Sequence, residues 1–163
     1  MSIIKKIENL PPIPMEYYRD SFVSNNRDER IQIQYYFDEK NGHFYGRVHF
    51  AGLAQGPPGH VHGGAIASVL DEAMGGVAWL NHIHALTGQL NIKFVKPIKL
   101  NTTVYVNTWV HKSASRKALV RGRIVNAEGA CHASAEGVFV RRSKEKFMEM
   151  GEIPEQLFRI EHK

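Results

Sequence analysis

From Ile31 to Phe37 the chain reads IQIQYYF, β-branched and aromatic residues in partial alternation with polar ones. A period of two is the pattern of a half-buried strand. DEKNG (Asp38 to Gly42) follows, and its Asn-Gly pair predicts a hairpin. HFYGRVHF (His43 to Phe50) is then the returning strand, and AGLAQGPPG (Ala51 to Gly59) is a loop by composition. From Ala65 to Leu80 the alternation is lost. This apolar stretch has no proline, is rich in Ala, Leu and Met, and is too long for an ordinary strand, so it predicts a helix. Gly75-Gly76 inside it predict close packing against another backbone. The short period then returns in QLNIKFV (Gln89 to Val95), TTVYVNTWVH (Thr102 to His111), ALVRGRIVN (Ala118 to Asn126) and ACHASAEGVFV (Ala130 to Val140). The last three are joined by short links and predict an antiparallel meander.

Two strands, one long helix and four strands make an α+β layer arrangement: a curved antiparallel sheet of about six strands wrapped around one central helix. The domain spans residues 27–142. Residues 1–26 read as irregular, because PPIP (Pro11 to Pro14) blocks regular structure. Glu16 to Phe22 is a candidate short helix there. Residues 143–163 form a tail with a candidate short helix after Pro154. The central helix is apolar nearly all round, which predicts burial on every side. One sheet covers one side only, so a second copy of the chain is expected on the other.

Composition narrows the partners without choosing one. The chain has 163 residues, 43% hydrophobic and 23% charged, as in ordinary globular proteins. A net charge of +5 favours anionic partners. No RNP-like aromatic pattern, helix-turn-helix or zinc motif supports nucleic acid. The single cysteine, Cys131, has no internal partner for a disulfide. The start MSIIKKIENL lacks a signal-peptide core, and no run of about 18 apolar residues exists. A cytoplasmic protein with no membrane span is the expectation.

Chemistry concentrates in HVHGGAIASVLDEAMGG (His60 to Gly76), where an acidic pair, Asp71-Glu72, sits inside the apolar helix. HGG (His62 to Gly64), an acid nine residues after that histidine, and the downstream strand NIKFVKP together resemble the hotdog-fold acyl-CoA thioesterases. That group includes the phenylacetate-pathway thioesterase and the human mitochondrial thioesterase superfamily members. The resemblance covers roughly Arg30 to Arg141. It implies a hotdog fold, a homodimer with a continuous sheet, often a dimer of dimers, and hydrolysis of acyl-CoA without metal or organic cofactor. It implies that Asp71 is the catalytic carboxylate, that the Gly63 backbone N–H polarises the thioester carbonyl, and that Thr87 stands where near members place a Thr or Ser.

These residue types suit the chemistry. Backbone N–H groups at a helix N-terminus are unpaired and partly positive, and Gly63-Gly64 lie there with no side chains in the way. Asp71 acts either as general base on a water or as direct nucleophile. Gly63 and Asp71 are eight residues apart, about 12 Å along a helix axis. One carbonyl cannot touch both, so a working site pairs Gly63 of one subunit with Asp71 of another. Glu72, about 100° further round the helix, reads as structural, bonded to a loop N–H or a basic side chain; its competing reading is the catalytic base in place of Asp71.

The remaining candidates are weaker. His62 reads as a residue that orients the pre-helix loop by a backbone hydrogen bond and touches the substrate site; general base and metal ligand are its competing readings. HxH spacing (His60 and His62) is a weak metal signal, and no metal site is expected. Asn81 to His84 reads as capping and loop. Gly64 and Asn91 are candidate substrate contacts, Asn91 on the acyl pocket. Arg116 and Lys117, at a strand turn, are candidates for the phosphates of coenzyme A. The alternative to an enzyme is a non-catalytic acyl-CoA-binding hotdog protein, a sensor or interaction module. A dehydratase or hydratase of the same fold would need a helix histidine, and none occurs between Ala65 and Leu80.

Overall fold

The computed structural model describes residues 2–25 and 30–151. Its centre is α2 (Gly63–Leu80), held against a six-stranded antiparallel sheet. The strands are β1 (Ile31–Asp38), β2 (His43–Phe50), β3 (Ala85–Phe94), β4 (Thr102–Ser113), β5 (Lys117–Val125) and β6 (Cys131–Arg141). Their spatial order is β1-β2-β4-β5-β6-β3. The expected meander is the run β4-β5-β6. β3 crosses over to the far edge after the helix.

Alternation in the strands becomes one buried face. Ile31, Ile33, Tyr35 and Phe37 point inward from β1, with Val104 and Val106 from β4 and Ala133, Ala135 and Phe139 from β6. Against them α2 sets Ile66, Val69, Leu70, Ala73, Met74 and Val77, each worth about 1.5–3 kcal/mol for the large side chains when fully buried. The helix comes close because of what the sheet lacks. A Cβ on Gly122 would lie 3.3 Å from both Leu70 Cδ2 and Met74 Cγ, and 3.0 Å from Thr108 Cγ2. Thr108, fully buried, donates its hydroxyl to the Ala73 carbonyl at 2.9 Å and ties the helix to β4.

Local signals shifted the element boundaries. Helix α2 begins at Gly63, two residues before the apolar stretch, because the His62 imidazole caps it. The hairpin between β1 and β2 keeps Asp38 opposite His43, so its loop holds four residues rather than the two of a minimal Asn-Gly turn. There the Gly42 N–H donates to the Asp38 carbonyl at 2.8 Å and the Asn41 side chain accepts from the His43 N–H at 2.9 Å. Strand β3 begins at Ala85, and a register shift between Thr87 and Gln89 bulges it at Gly88.

The N-terminal segment, read as irregular, contains α1 (Ile3–Glu8), capped by the Ser2 hydroxyl. The helix expected over Glu16 to Phe22 is a short 3₁₀ turn, Met15–Tyr17. In the tail, α3 (Lys144–Glu149) packs Phe147 edge-on against Trp79, with ring centroids 5.2 Å apart. The helix expected after Pro154 lies outside the described residues.

The two edges of the sheet differ. Beside β1, the Ile13 N–H donates to the Tyr35 carbonyl at 2.8 Å, and Pro12 bridges Tyr36. β3 pairs β6 on one side, and its other side has no strand among the described residues. Leu86, Phe94 and the adjoining Val95 are exposed along it.

Candidate active site

The loop before α2 presents the end of the helix. The His62 N–H donates to the Ala54 carbonyl at 2.8 Å, and the Val61 N–H to Ile98 at 2.9 Å. A Cβ on Gly56 would lie 2.7 Å from the His62 Cα, so only glycine allows the loop to close on that residue. Within this frame His62 Nδ1 accepts from the Gly64 N–H at 2.8 Å. His62 is therefore the helix cap, the loop-orienting role read from the sequence. The bond engages Gly64 and leaves the Gly63 N–H with no acceptor among the described residues. The two glycine amides, equivalent in the sequence, are not equivalent in the fold.

Two turns further on, Asp71 is half-buried, and Thr87 of β3 donates its hydroxyl to Asp71 Oδ1 at 2.8 Å. The two lie in a cavity of about 470 Å³ with Gly75, Gly76, Trp79 and Phe139 among its walls. That volume suits a small-molecule site. A carboxylate held by one hydroxyl among the described residues keeps lone pairs for a proton or a carbon. Because α2 is continuous from Gly63 to Leu80, the Gly63 amide and Asp71 are about 12 Å apart along its axis.

Glu72 has the opposite surroundings. It accepts hydrogen bonds from the hydroxyls of Ser21 and Ser24, from Tyr35 Oη at 2.6 Å and from the Val23 N–H at 3.3 Å. The expected structural role holds, through hydroxyls and a loop N–H rather than a basic side chain. Both acids border the cavity, but the pair divides by its bonds: Asp71 accepts from Thr87, and Glu72 fastens the N-terminal segment to the helix. Sequence reading missed Ser21, Ser24 and Tyr35, whose link to Glu72 spans 37 to 51 residues of chain and leaves no local pattern.

This clip has a measurable alkaline signature. Burial, then the Glu72 charge, hold the Tyr35 hydroxyl well above its ordinary pKa of 10.0. Burial pushes Tyr18 up to about 12. Above pH 10 the unfolded chain releases these protons and the folded one retains them, so stability falls as pH rises from 10 toward 12. Urea unfolding across that window should show the loss, with a shallower slope in Tyr18→Phe. An unchanged slope in that variant would remove Tyr18 from the account.

The other sequence candidates fall elsewhere. Asn91 is opposite Glu136 on the sheet face turned away from α2, because the bulge at Gly88 puts Leu90 and Ile92 inward instead. It does not line the Asp71 cavity, which corrects the expectation of an acyl-pocket residue. Arg116 and Lys117 are exposed at the β4–β5 hairpin and do not line the Asp71 cavity. The Arg116 carbonyl accepts from the Arg141 N–H at 2.9 Å, and Arg141 pairs with Ala85 at the start of β3. The hairpin thus sits at the end of the sheet nearest Thr87. Asn81 caps the end of α2, donating to Val77 at 2.8 Å and to Gly42 at 2.9 Å. Among the described residues no His, Cys, Asp and Glu side chains gather as a metal-ligand set, and no helix is long and apolar enough to cross a membrane.

Residues 58–133, from the pre-helix loop into β6, match the model of the family described as "Thioesterase superfamily". Over that stretch the chain is similar to the thioesterase superfamily. Over 104 residues it is 38% identical to acyl-coenzyme A thioesterase THEM4 of Rattus norvegicus, a stretch that is 63% of this chain and 43% of that one. The chain thus spans less than half the length of the curated relatives it matches. A thioesterase superfamily protein of known crystal structure shares 30% identity with a TM-score of 0.64, over 67% of this chain and 53% of the other. A Bacillus halodurans protein crystallised with CoA shares 28% identity with a TM-score of 0.53, over 59% and 65%. Helix, sheet order and these neighbours together make the fold of this domain the hotdog fold.

Proposed function

We propose that this domain hydrolyses acyl-CoA thioesters to a carboxylic acid and free CoA. The observation that carries the reading is the Asp71–Thr87 pair in its cavity, with Asp71 on the same helix as a Gly63 amide that has no acceptor among the described residues. The kinship with acyl-coenzyme A thioesterases supports the substrate class.

Two copies related by a two-fold axis, their α2 helices antiparallel, would set Gly63 of one beside Asp71 of the other, twice over. The open edge of β3, with Leu86, Phe94 and Val95 exposed, suits such pairing. In this arrangement the thioester carbonyl oxygen accepts the Gly63 N–H, a donor worth about 3 kcal/mol to the developing oxyanion. Asp71 then takes a proton from water, whose oxygen attacks the carbonyl carbon. The C–S bond breaks and the CoA thiolate leaves, taking up a proton. Direct attack by Asp71, giving a mixed anhydride that water opens, reaches the same products. Thr87 fixes the carboxylate in either route. Arg116 and Lys117 meet the CoA phosphates, His62 and Gly64 border the carbonyl, and no cofactor is needed. Pairing of dimers into a tetramer and a cytoplasmic setting complete the reading.

Incubation with a panel of acyl-CoAs and a thiol reagent tests it. Free CoA should appear above blank with at least one of them. Tight binding of an acyl-CoA without turnover would favour the non-catalytic sensor instead.

A further inference from the structure

The segment Ser21–Ser24 crosses α2 between two cavities. One, of about 470 Å³, holds Asp71 and Thr87; the other, of about 620 Å³, adjoins His62, Gly64 and Ala65 and is walled by Ile31, Leu53 and Ala54. Ser21, Phe22, Val23 and Ser68 line both. The clip on Glu72 buries its flanks: Val23 is 5% exposed and Ser24 2%. Phe22, between the Glu72-bonded Ser21 and Val23, is 87% exposed. A large aromatic side chain held at such exposure by bonds on both sides has an orientation imposed on it, since burying it would be worth about 1.5–3 kcal/mol. Trp79, about two turns beyond Asp71 on α2 and braced by Phe147, also lines the Asp71 cavity.

We infer that Phe22 is the specificity-determining wall of the acyl site, setting the length of acyl chain the Asp71 cavity accepts, and that Glu72 is the positioning residue that holds it there. The inference rests on the thioesterase reading. The acyl group of a substrate whose carbonyl lies at Asp71 extends between Phe22 and Trp79. Removing the Phe22 ring joins the cavity to its larger neighbour, and enlarging the ring shortens it. Glu72 borders the same cavity as Asp71, but its carboxylate oxygens are taken by the clip, so its effect on substrate passes through Phe22.

The test is kcat and KM over straight-chain substrates from acetyl-CoA to palmitoyl-CoA, for the wild type and three variants. In Phe22→Ala the preferred chain lengthens, the ratio of kcat/KM for long over short acyl rising at least about tenfold. In Phe22→Trp it shortens. Opposite shifts are the signature, because a merely structural role would depress all substrates together in both variants. Glu72→Gln, which keeps the shape but loses acceptors for the serine and tyrosine hydroxyls, moves in the direction of Phe22→Ala, through KM rather than kcat. Equal change at every chain length, or a shift of the same sense in the Ala and Trp variants, overturns the role of Phe22. An unaltered profile in a folded Glu72→Gln protein overturns that of Glu72. If the wild type hydrolyses none of these thioesters, the thioesterase reading fails by itself. The wall is then read from calorimetric binding of the intact acyl-CoAs, where the same opposite shifts in preferred length are expected and their absence overturns it.

Discussion

Asp71→Asn is expected to lower kcat by roughly 10²–10⁴-fold, the usual contribution of a positioned general base, with little change in Tm. The substitution keeps the shape of the side chain. Its amide oxygen still accepts from the Thr87 hydroxyl, the one hydrogen bond Asp71 makes among the described residues. It loses the capacity to take a proton at neutral pH or to attack as a carboxylate. Activity with the best substrate of the acyl-CoA panel, read beside a thermal melt, separates chemistry from folding. Normal turnover by a folded Asp71→Asn protein would move the acid elsewhere. Glu72 is a poor replacement, because three hydroxyls and an amide already occupy it.

Gly63→Pro should reduce kcat by about 10²–10³-fold through loss of one N–H, again with the fold retained. Proline is ordinarily destructive in a helix, but the first helical position is where it is tolerated: the missing donor has no intrahelical acceptor there. The preceding residue must be extended, and His62 has φ −63° and ψ 136°. A Cβ at Gly63 meets only the Phe94 ring, at 3.6 Å, an ordinary contact. The variant is therefore close to a deletion of a single backbone donor. Full activity in it would dismiss that amide as the group that polarises the carbonyl.

The two variants together test whether the site is shared. In a mixed population with random pairing, half the dimers combine one chain of each kind. Each such dimer rebuilds one site from Gly63 of the Asp71→Asn chain and Asp71 of the Gly63→Pro chain. Co-refolded protein should recover about a quarter of wild-type activity if sites form across a two-fold axis, and none if each chain works alone.

Much of this was legible in the residue order because the signals are local. Strand alternation, the apolar run of α2, the helix-ending role of Asn81 and the HGG-to-acid spacing depend on neighbours within a few residues. The axial distance between Gly63 and Asp71 needs only the helical rise. The hairpin was legible too, though its loop took four residues because the Asp38–His43 pairing set its length.

Other decisions depended on residues far apart in the chain. Asn91 looked like a pocket residue until the bulge at Gly88 fixed the inward positions of β3, since a one-residue slip in register exchanges the faces of a strand. Gly63 and Gly64 are the same residue type side by side. The return of the His62 ring onto the second amide is what singles out the first. Asp71 and Glu72 are both acids, and only the arrival of Ser21, Ser24 and Tyr35 gives one to structure and leaves the other to chemistry. The sequence by itself determined which groups this helix carries and how far apart they lie, because backbone geometry sets both. The tertiary structure alone decided which of them remain uncommitted, because that depends on which distant donors and acceptors the closed fold brings into contact.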